Sequence, residues 1–179
     1  MSGDSQTMHR MKIGMVVFDQ SKGAAVITLL DETGKRALPL LIGVPEALAI
    51  FRELNRYPSP RPMVYDLFKN VLDGLHVNIE RVVIDAFKDD TFYANIFMHV
   101  DRAQMVADAR PSDAIALALK AQAPIYVMDE VLENAEAMGL TITTTQQEGG
   151  AQEGGVDELQ DWLKDVKPED FGDGEETER

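Results

Sequence analysis

The stretch Val82-Val83-Ile84-Asp85-Ala86-Phe87, the turn Lys88-Asp89-Asp90, and Phe92-Tyr93-Ala94-Asn95-Ile96-Phe97-Met98-His99-Val100 decide the fold. Both runs are rich in β-branched and aromatic residues, and the polar triplet between them is turn chemistry, so they read as two neighbouring strands. In the second run Phe92, Ala94, Ile96, Met98 and Val100 fall on one face, and Tyr93, Asn95, Phe97 and His99 on the other. Two half-apolar faces imply a sheet covered at least in part on both sides.

Upstream, Met11 to Asp19 alternates, which places Met11, Ile13, Met15 and Val17 on one face. Ala24 to Leu30 and the run Leu38, Leu40, Ile42 follow, separated by the turns Gln20-Ser21-Lys22-Gly23 and Asp31-Glu32-Thr33-Gly34. This is a meander of three short strands. Gly43-Val44-Pro45 ends the last of them and starts a helix, since proline is tolerated in a first turn. Ala47, Ile50, Phe51 and Leu54 fall at i, i+3, i+4 and i+7 and give that helix one face expected to be buried. Tyr57 to Pro62 contains Pro58, Pro60 and Pro62 and is a stiff connector. A second helix follows, with the stripe Val64, Leu67, Phe68, Val71, Leu72 and Leu75.

Downstream, Gln104 to Asp108 reads as a short strand, and Ala114 to Ala121 as a helix with Ser112 as its N-cap and Asp113 in its first turn. Pro124 to Met128 is a strand, and Asp129 to Met138 a helix that ends at Gly139. The expected fold class is therefore α+β: small mixed or antiparallel β-sheets with about four helices packed on them, forming a single domain with an acidic tail. Residues 1–10 are expected to be a disordered N-terminus, 11–140 the domain, 141–155 a Gly/Gln/Thr-rich linker, 156–171 a short amphipathic helix, and 172–179 an acidic disordered tail.

The 179 residues carry a net charge of −14, distributed unevenly. Residues 1–130 hold 14 Lys and Arg against 17 Asp and Glu, and residues 131–179 hold 3 against 14. The domain is nearly balanced and the acidity lies in the tail. A strongly basic footprint is absent, which argues against a tight duplex binder but not against an enzyme that holds nucleic acid weakly. There is no cysteine, so disulfides and thiolate metal sites are excluded. Residues 1–10 lack the apolar core of a signal peptide, and no apolar run approaches the ~20 residues of a membrane span. The expectation is a cytoplasmic protein with no membrane partner.

Several segments, in order, carry a family resemblance. They are Leu38-Pro39-Leu40-Leu41-Ile42-Gly43 with Glu46-Ala47, Arg61-Pro62 with Asp66-Leu67, Val82-Val83-Ile84, and Thr91-Phe92-Tyr93-Ala94. The most specific is Asp108-Ala109-Arg110-Pro111-Ser112-Asp113-Ala114-Ile115-Ala116-Leu117-Ala118, and Ala123-Pro124-Ile125-Tyr126-Val127 closes the set. Across residues 11–138 the chain resembles the bifunctional nuclease domain family. The resemblance implies an α+β fold, oligomeric assembly, and nuclease activity on both DNA and RNA. Two positions depart from the family pattern. Leu41 stands where the family usually has tryptophan, and Tyr65 where it usually has histidine before the aspartate.

Hydrolysis of a phosphodiester at neutral pH needs an activated water and neutralised phosphate charge, and carboxylates holding Mg²⁺ or Mn²⁺ supply both. At motif positions the candidate catalytic residues are Asp66, Asp113 and Glu46. The candidate metal ligands are Asp108, Asp113 and Glu46, and the candidate substrate-binding residues Arg110, Ser112 and Arg61. Each carboxylate has a plainer reading as a helix-start residue, and each arginine as half of an ion pair. Arg52, Arg56 and Arg61 are the nearest thing to a basic patch. His99, Tyr93 and Phe97 are strand residues with an alternative use as a base or as stacking surfaces. The expected function is metal-dependent cleavage of weakly held DNA and RNA by a homo-oligomer. The alternative is a non-catalytic oligomeric module that binds a small anion or a protein partner.

Overall fold

The computed structural model describes residues 7–19 and 23–139. The expected linker, amphipathic helix and acidic tail lie outside these residues. Seven strands and four helices follow one another as β1 (Met8–Asp19), β2 (Ala24–Asp31), β3 (Ala37–Gly43), α1 (Val44–Leu54), α2 (Val64–Gly74), β4 (Val77–Lys88), β5 (Thr91–Val100), β6 (Ala103–Ala109), α3 (Pro111–Ala121), β7 (Ile125–Met128) and α4 (Asp129–Ala137). The expected small sheets are one mixed sheet in the order β3-β2-β1-β7-β4-β5-β6. Every neighbouring pair is antiparallel except β4 with β7, so the short β7 joins the meander to the hairpin.

Three expectations are corrected. First, β1 begins at Met8, so Met8, His9 and Arg10 are strand rather than disordered N-terminus, pairing with Met128, Val127 and Tyr126 of β7 respectively. Second, the alternation of β1 is broken by a bulge between Ile13 and Met15. Met11 is buried and Ile13, Val16 and Phe18 pack on the core, while Met15 and Val17 turn out to solvent. An extra residue in one strand shifts every later side chain to the other face. Gly14 sits at that bulge, where a Cβ would lie 2.6 Å from Leu30 Cδ1. Third, of the α1 face expected to be buried, Ala47 and Ile50 are, whereas Leu54 is 42% exposed. The α2 stripe is left largely open: only Leu72 is buried, and Val64, Leu67, Phe68, Val71 and Leu75 are 49–69% exposed. Periodicity marks a helix's apolar face without saying what covers it.

The core is built from the inward residues of the meander (Ile27, Leu29, Leu38, Leu40), of the hairpin (Val82, Ile84, Ala94, Ile96), and from α1 and α3. The expected face of β5 is confirmed, with Ala94, Ile96 and Met98 buried. On the other face Tyr93 is exposed, and His99 Nε2 pairs with Glu80 at 2.5 Å. Packing of α3 on α1, α2, β4 and β5 makes it the central helix. Its alanines Ala114, Ala116 and Ala118 are all buried, and their small side chains permit close approach on more than one side. A polar clasp fastens α4: Arg36 pairs with Asp129 and, at 2.8 Å, with Glu136, and His9 adds a 2.7 Å bond to Asp129.

Candidate functional site

β3 and β6 are the two edges of the sheet, and each runs straight into a helix. Gly43 is the N-cap of α1 and Arg110 the N-cap of α3, and both have extended backbones. Pro45 and Pro111 occupy the first turns, where no N–H is missed. The third helical residue is Glu46 in α1 and Asp113 in α3, so each carboxylate sits at the positive end of its helix dipole. Because α1 and α3 pack against each other, these two helix starts meet.

Arg110 joins them. Its Nε donates to Asp113 Oδ2 at 2.7 Å, and its Nη2 donates to Glu46 Oε1 at 2.8 Å and to Asp113 Oδ1 at 3.1 Å. Three of the five guanidinium N–H groups are thereby used, and the two on Nη1 remain. The Arg110 side chain is 66% exposed, against 17% for Glu46 and 28% for Asp113. Tyr65, on α2, closes the cluster with a 2.6 Å hydrogen bond from its hydroxyl to Asp113 Oδ1.

The electrostatics follow from this geometry. Burial works against the Asp113 charge, but the bonds from Arg110 and Tyr65 outweigh it and hold the carboxyl below the ordinary 3.8. Burial, then the bond to Asp113 and the neighbouring Asp113 and Glu46 charges, push the Tyr65 phenol well above 10.0. Bonds to Asp113 and Glu46 raise the pKa of Arg110. By formal charge the cluster is two carboxylates, one guanidinium and one phenol donor, with a net charge of −1. It presents directed donors to an anion. Tyr65, protonated and committed to Asp113, is no base.

The sequence-derived candidates divide. Glu46, Arg110 and Asp113 converge. Ser112 is buried beside them at the second helical position, but the cap is Arg110 and Ser112 makes no cap bond, which corrects the sequence expectation. Asp66 is elsewhere: Oδ2 accepts the Met63 N–H at 2.9 Å, and Oδ1 lies 2.5 Å from Lys120 Nζ, which also pairs with Glu53. The bond from Lys120, then that from Met63, lowers its pKa. Asp66 thus fastens the start of α2 to α3. Asp108 is exposed on β6 opposite Asn95, and its side chain makes no hydrogen bond or ion pair among the described residues. Arg61 is likewise exposed, and its side chain has no partner among the described residues.

The expected metal set of Asp108, Asp113 and Glu46 does not come together, and no group of three His, Asp or Glu side chains among the described residues is placed to hold an ion. Glu46 and Asp113 share a guanidinium instead, so the donors as arranged do not fit a divalent cation.

Two members of the site escaped sequence reasoning. Tyr65 was noticed only as a departure from a pattern. At Gly43 a Cβ would lie 2.4 Å from Glu46 Oε2. The missing side chain is what lets Glu46 fold back over its own helix start, and the adjoining Gly43-Val44-Pro45-Glu46 string was the signal available.

Comparison with known proteins places the site within a family match. The model of the bifunctional nuclease domain matches residues 27–138, a span that contains Gly43, Glu46, Tyr65, Arg110 and Asp113. An uncharacterized protein of Mycobacterium tuberculosis is 34% identical over 167 residues, 92% of this chain and 98% of its own. Bifunctional nuclease 1 of Oryza sativa subsp. indica is 21% identical over 119 residues, 65% of this chain, and bifunctional nuclease 2 of Arabidopsis thaliana 25% identical over 107 residues, 58% of this chain. The matched part spans only 36% and 32% of those plant proteins. The chain belongs to the bifunctional nuclease domain family. Among the described residues no helix is long and apolar enough to cross a membrane.

Proposed function

We propose that this member of the bifunctional nuclease domain family hydrolyses phosphodiester bonds of DNA and RNA at the junction of α1 and α3. The observation that carries the reading is Arg110, held on Glu46 and Asp113 with its Nη1 donors unspent and its side chain 66% exposed. A guanidinium fixed in this way meets a phosphate oxygen without reorganising, and such preorganised donors are worth most where charge develops in the transition state. Asp113 and Glu46 orient Arg110, Tyr65 orients Asp113, and Gly43 makes room for Glu46. Asp66 acts as a positioning residue through α2. A divalent cation is not assigned to the cluster as it stands. The test is cleavage of labelled single- and double-stranded DNA and RNA with Mg²⁺, Mn²⁺ or EDTA, beside the Asp113→Asn variant. Cutting that the variant lacks supports the reading. Equal cutting by both removes the cluster from the mechanism.

A second reading has its own observation. The charges of Glu46, Arg110 and Asp113 satisfy one another, as they would in a structural clasp, and a non-catalytic module for a small anion fits that equally well. A sample that melts higher with a nucleotide yet cuts nothing would favour it.

Self-association belongs to the same proposal. The five outward residues of α2 expose on the order of 500 Å² of apolar surface, near the largest patch a monomer carries. Two such faces together would remove about 1,000 Å² from water, the lower bound for a specific interface. A second copy seated on α2 gives a dimer in analytical ultracentrifugation at micromolar concentration, weakened by Leu67→Glu. A wild-type monomer contradicts it.

A further inference from the structure

We propose that the groove bounded by α1, the 57–63 connector, the first turn of α2 and Lys120 is the track for one unpaired polynucleotide strand, with Arg52 and Arg61 on its phosphates and the Tyr57 ring against a base. This rests on the phosphodiesterase reading and adds to it the substrate class, single-stranded nucleic acid.

The groove is a cavity of about 430 Å³ that includes Arg52, Tyr57, Arg61, Tyr65, Asp66 and Lys120 in its lining. Lys120 is committed to Glu53 and Asp66. Arg52 spends one N–H, 2.7 Å from the Pro58 carbonyl, which fixes the head of the side chain and leaves four donors. Arg61 spends none among the described residues. The free cationic donors of the groove are therefore two arginines. Pro58, Pro60 and Pro62 restrict the loop that carries Arg61, so less freedom is lost when a ligand binds.

The aromatic element is in place as well. Tyr57 is 42% exposed, and its ring is backed by Phe51, with centroids 6.1 Å apart and planes 32° apart. A backed, partly exposed ring is a surface on which a base of any identity stacks. Tyr65 lines the same groove and donates to Asp113, so the track adjoins the Arg110 cluster. That cluster has a formal net charge of −1, so Arg110 can contact a phosphate at close range but the cluster does not draw one in over a distance. Arg52 and Arg61 supply the missing positive charge.

Strandedness follows from counting. Arg52, Arg61 and Arg110 provide about three phosphate contacts, well short of the roughly 6–10 of a tight duplex binder. A stacking ring needs an unstacked base, which a single strand offers and an intact duplex does not.

Fluorescence anisotropy of the full chain with a labelled 15-nucleotide dT or U strand, and with a 15-base-pair duplex, tests this over a range of salt. The strand is expected to bind more tightly than the duplex, with a slope of log K against log salt of about −2, three contacts at about 0.7 each. Arg61→Ala is expected to reduce that slope by about 0.7. Tyr57→Ala should weaken binding several-fold and leave the slope unchanged, as loss of stacking does. Duplex binding as tight as strand binding, or an unaltered slope in Arg61→Ala, overturns the proposal. So does a mononucleotide that binds as tightly as the strand. The two readings fail separately. A chain that binds strands through Arg61 but cuts nothing keeps the groove and loses the phosphodiesterase. Cleavage with kcat/KM unchanged in both variants keeps the phosphodiesterase and loses the groove.

Discussion

The Tyr65 hydroxyl donates a 2.6 Å hydrogen bond to Asp113 Oδ1, tying α2 to the start of α3. The phenol is thereby locked in its protonated form, and its pKa lies well above 10.0. An acid whose folded pKa is raised contributes stability that is complete below the ordinary value and is lost as pH rises through the folded one. Ultraviolet titration should find a tyrosine that ionises late, accompanied by loss of stability above about pH 10. Tyr65→Phe should abolish the late transition and cost about 1 kcal/mol in urea unfolding. A variant with the wild-type titration would show that the bond does not form.

Tyr65→His probes the departure from the family pattern. An imidazole bonded to Asp113 through one nitrogen keeps a second nitrogen for proton transfer, which a phenol cannot offer. Faster cleavage near neutral pH is expected, with a rise that follows deprotonation of the new ring. A slower variant with intact folding would show that the phenol itself is needed.

Gly43→Ala tests the space made for Glu46. The backbone at Gly43, φ −69° and ψ 155°, suits alanine, so the fold is expected to survive with little change in the urea midpoint. The new methyl pushes the Glu46 carboxylate off Arg110, and cleavage should fall at least about tenfold, as small misplacements of catalytic groups do. Unchanged cleavage would mean that Glu46 does not orient Arg110.

Asp66→Asn separates positioning from chemistry. Loss of the charge at the start of α2 and of the Lys120 pair should cost about 1 kcal/mol. Cleavage per folded molecule is expected to drop less than cleavage by Asp113→Asn. A larger drop for Asp66 would return it to the reaction centre.

On the acid side, Asp31, Asp66 and Asp113 all have lowered pKa values. Depressed carboxylates contribute stability that is present above the ordinary 3.8 and is lost as pH falls through the folded values. Unfolding free energy should therefore decline steeply below about pH 4, and less steeply in Asp113→Asn. A curve flat from pH 5 to 2 would contradict the network.

How much of this was legible in the sequence depends on the range of the interaction. The hairpin, the meander and the helix starts follow from local alternation, turns and prolines, and the structure agrees with them except at α3, where the N-cap is Arg110 rather than Ser112. The bulge at Gly14 was not visible, because an alternating pattern looks the same whether or not one residue is skipped. For α2 the apolar stripe was legible but what covers it was not, since burial is a property of neighbours. The motif strings identified Glu46, Arg110 and Asp113. Their meeting, however, comes from α1 and α3 leaving opposite edges of one sheet and packing together. Asp66 and Asp108 share the same motifs but are held elsewhere by Lys120 and by the β6 register.

The most direct measurement is kcat/KM on a labelled single strand for the wild-type chain and for Arg110→Ala, purified in parallel and matched for folded fraction. A fall of about 100-fold or more is expected, the usual cost of removing a preorganised donor. Equal rates would contradict the central claim that Arg110, on its two carboxylates, is the phosphate-binding donor of the site.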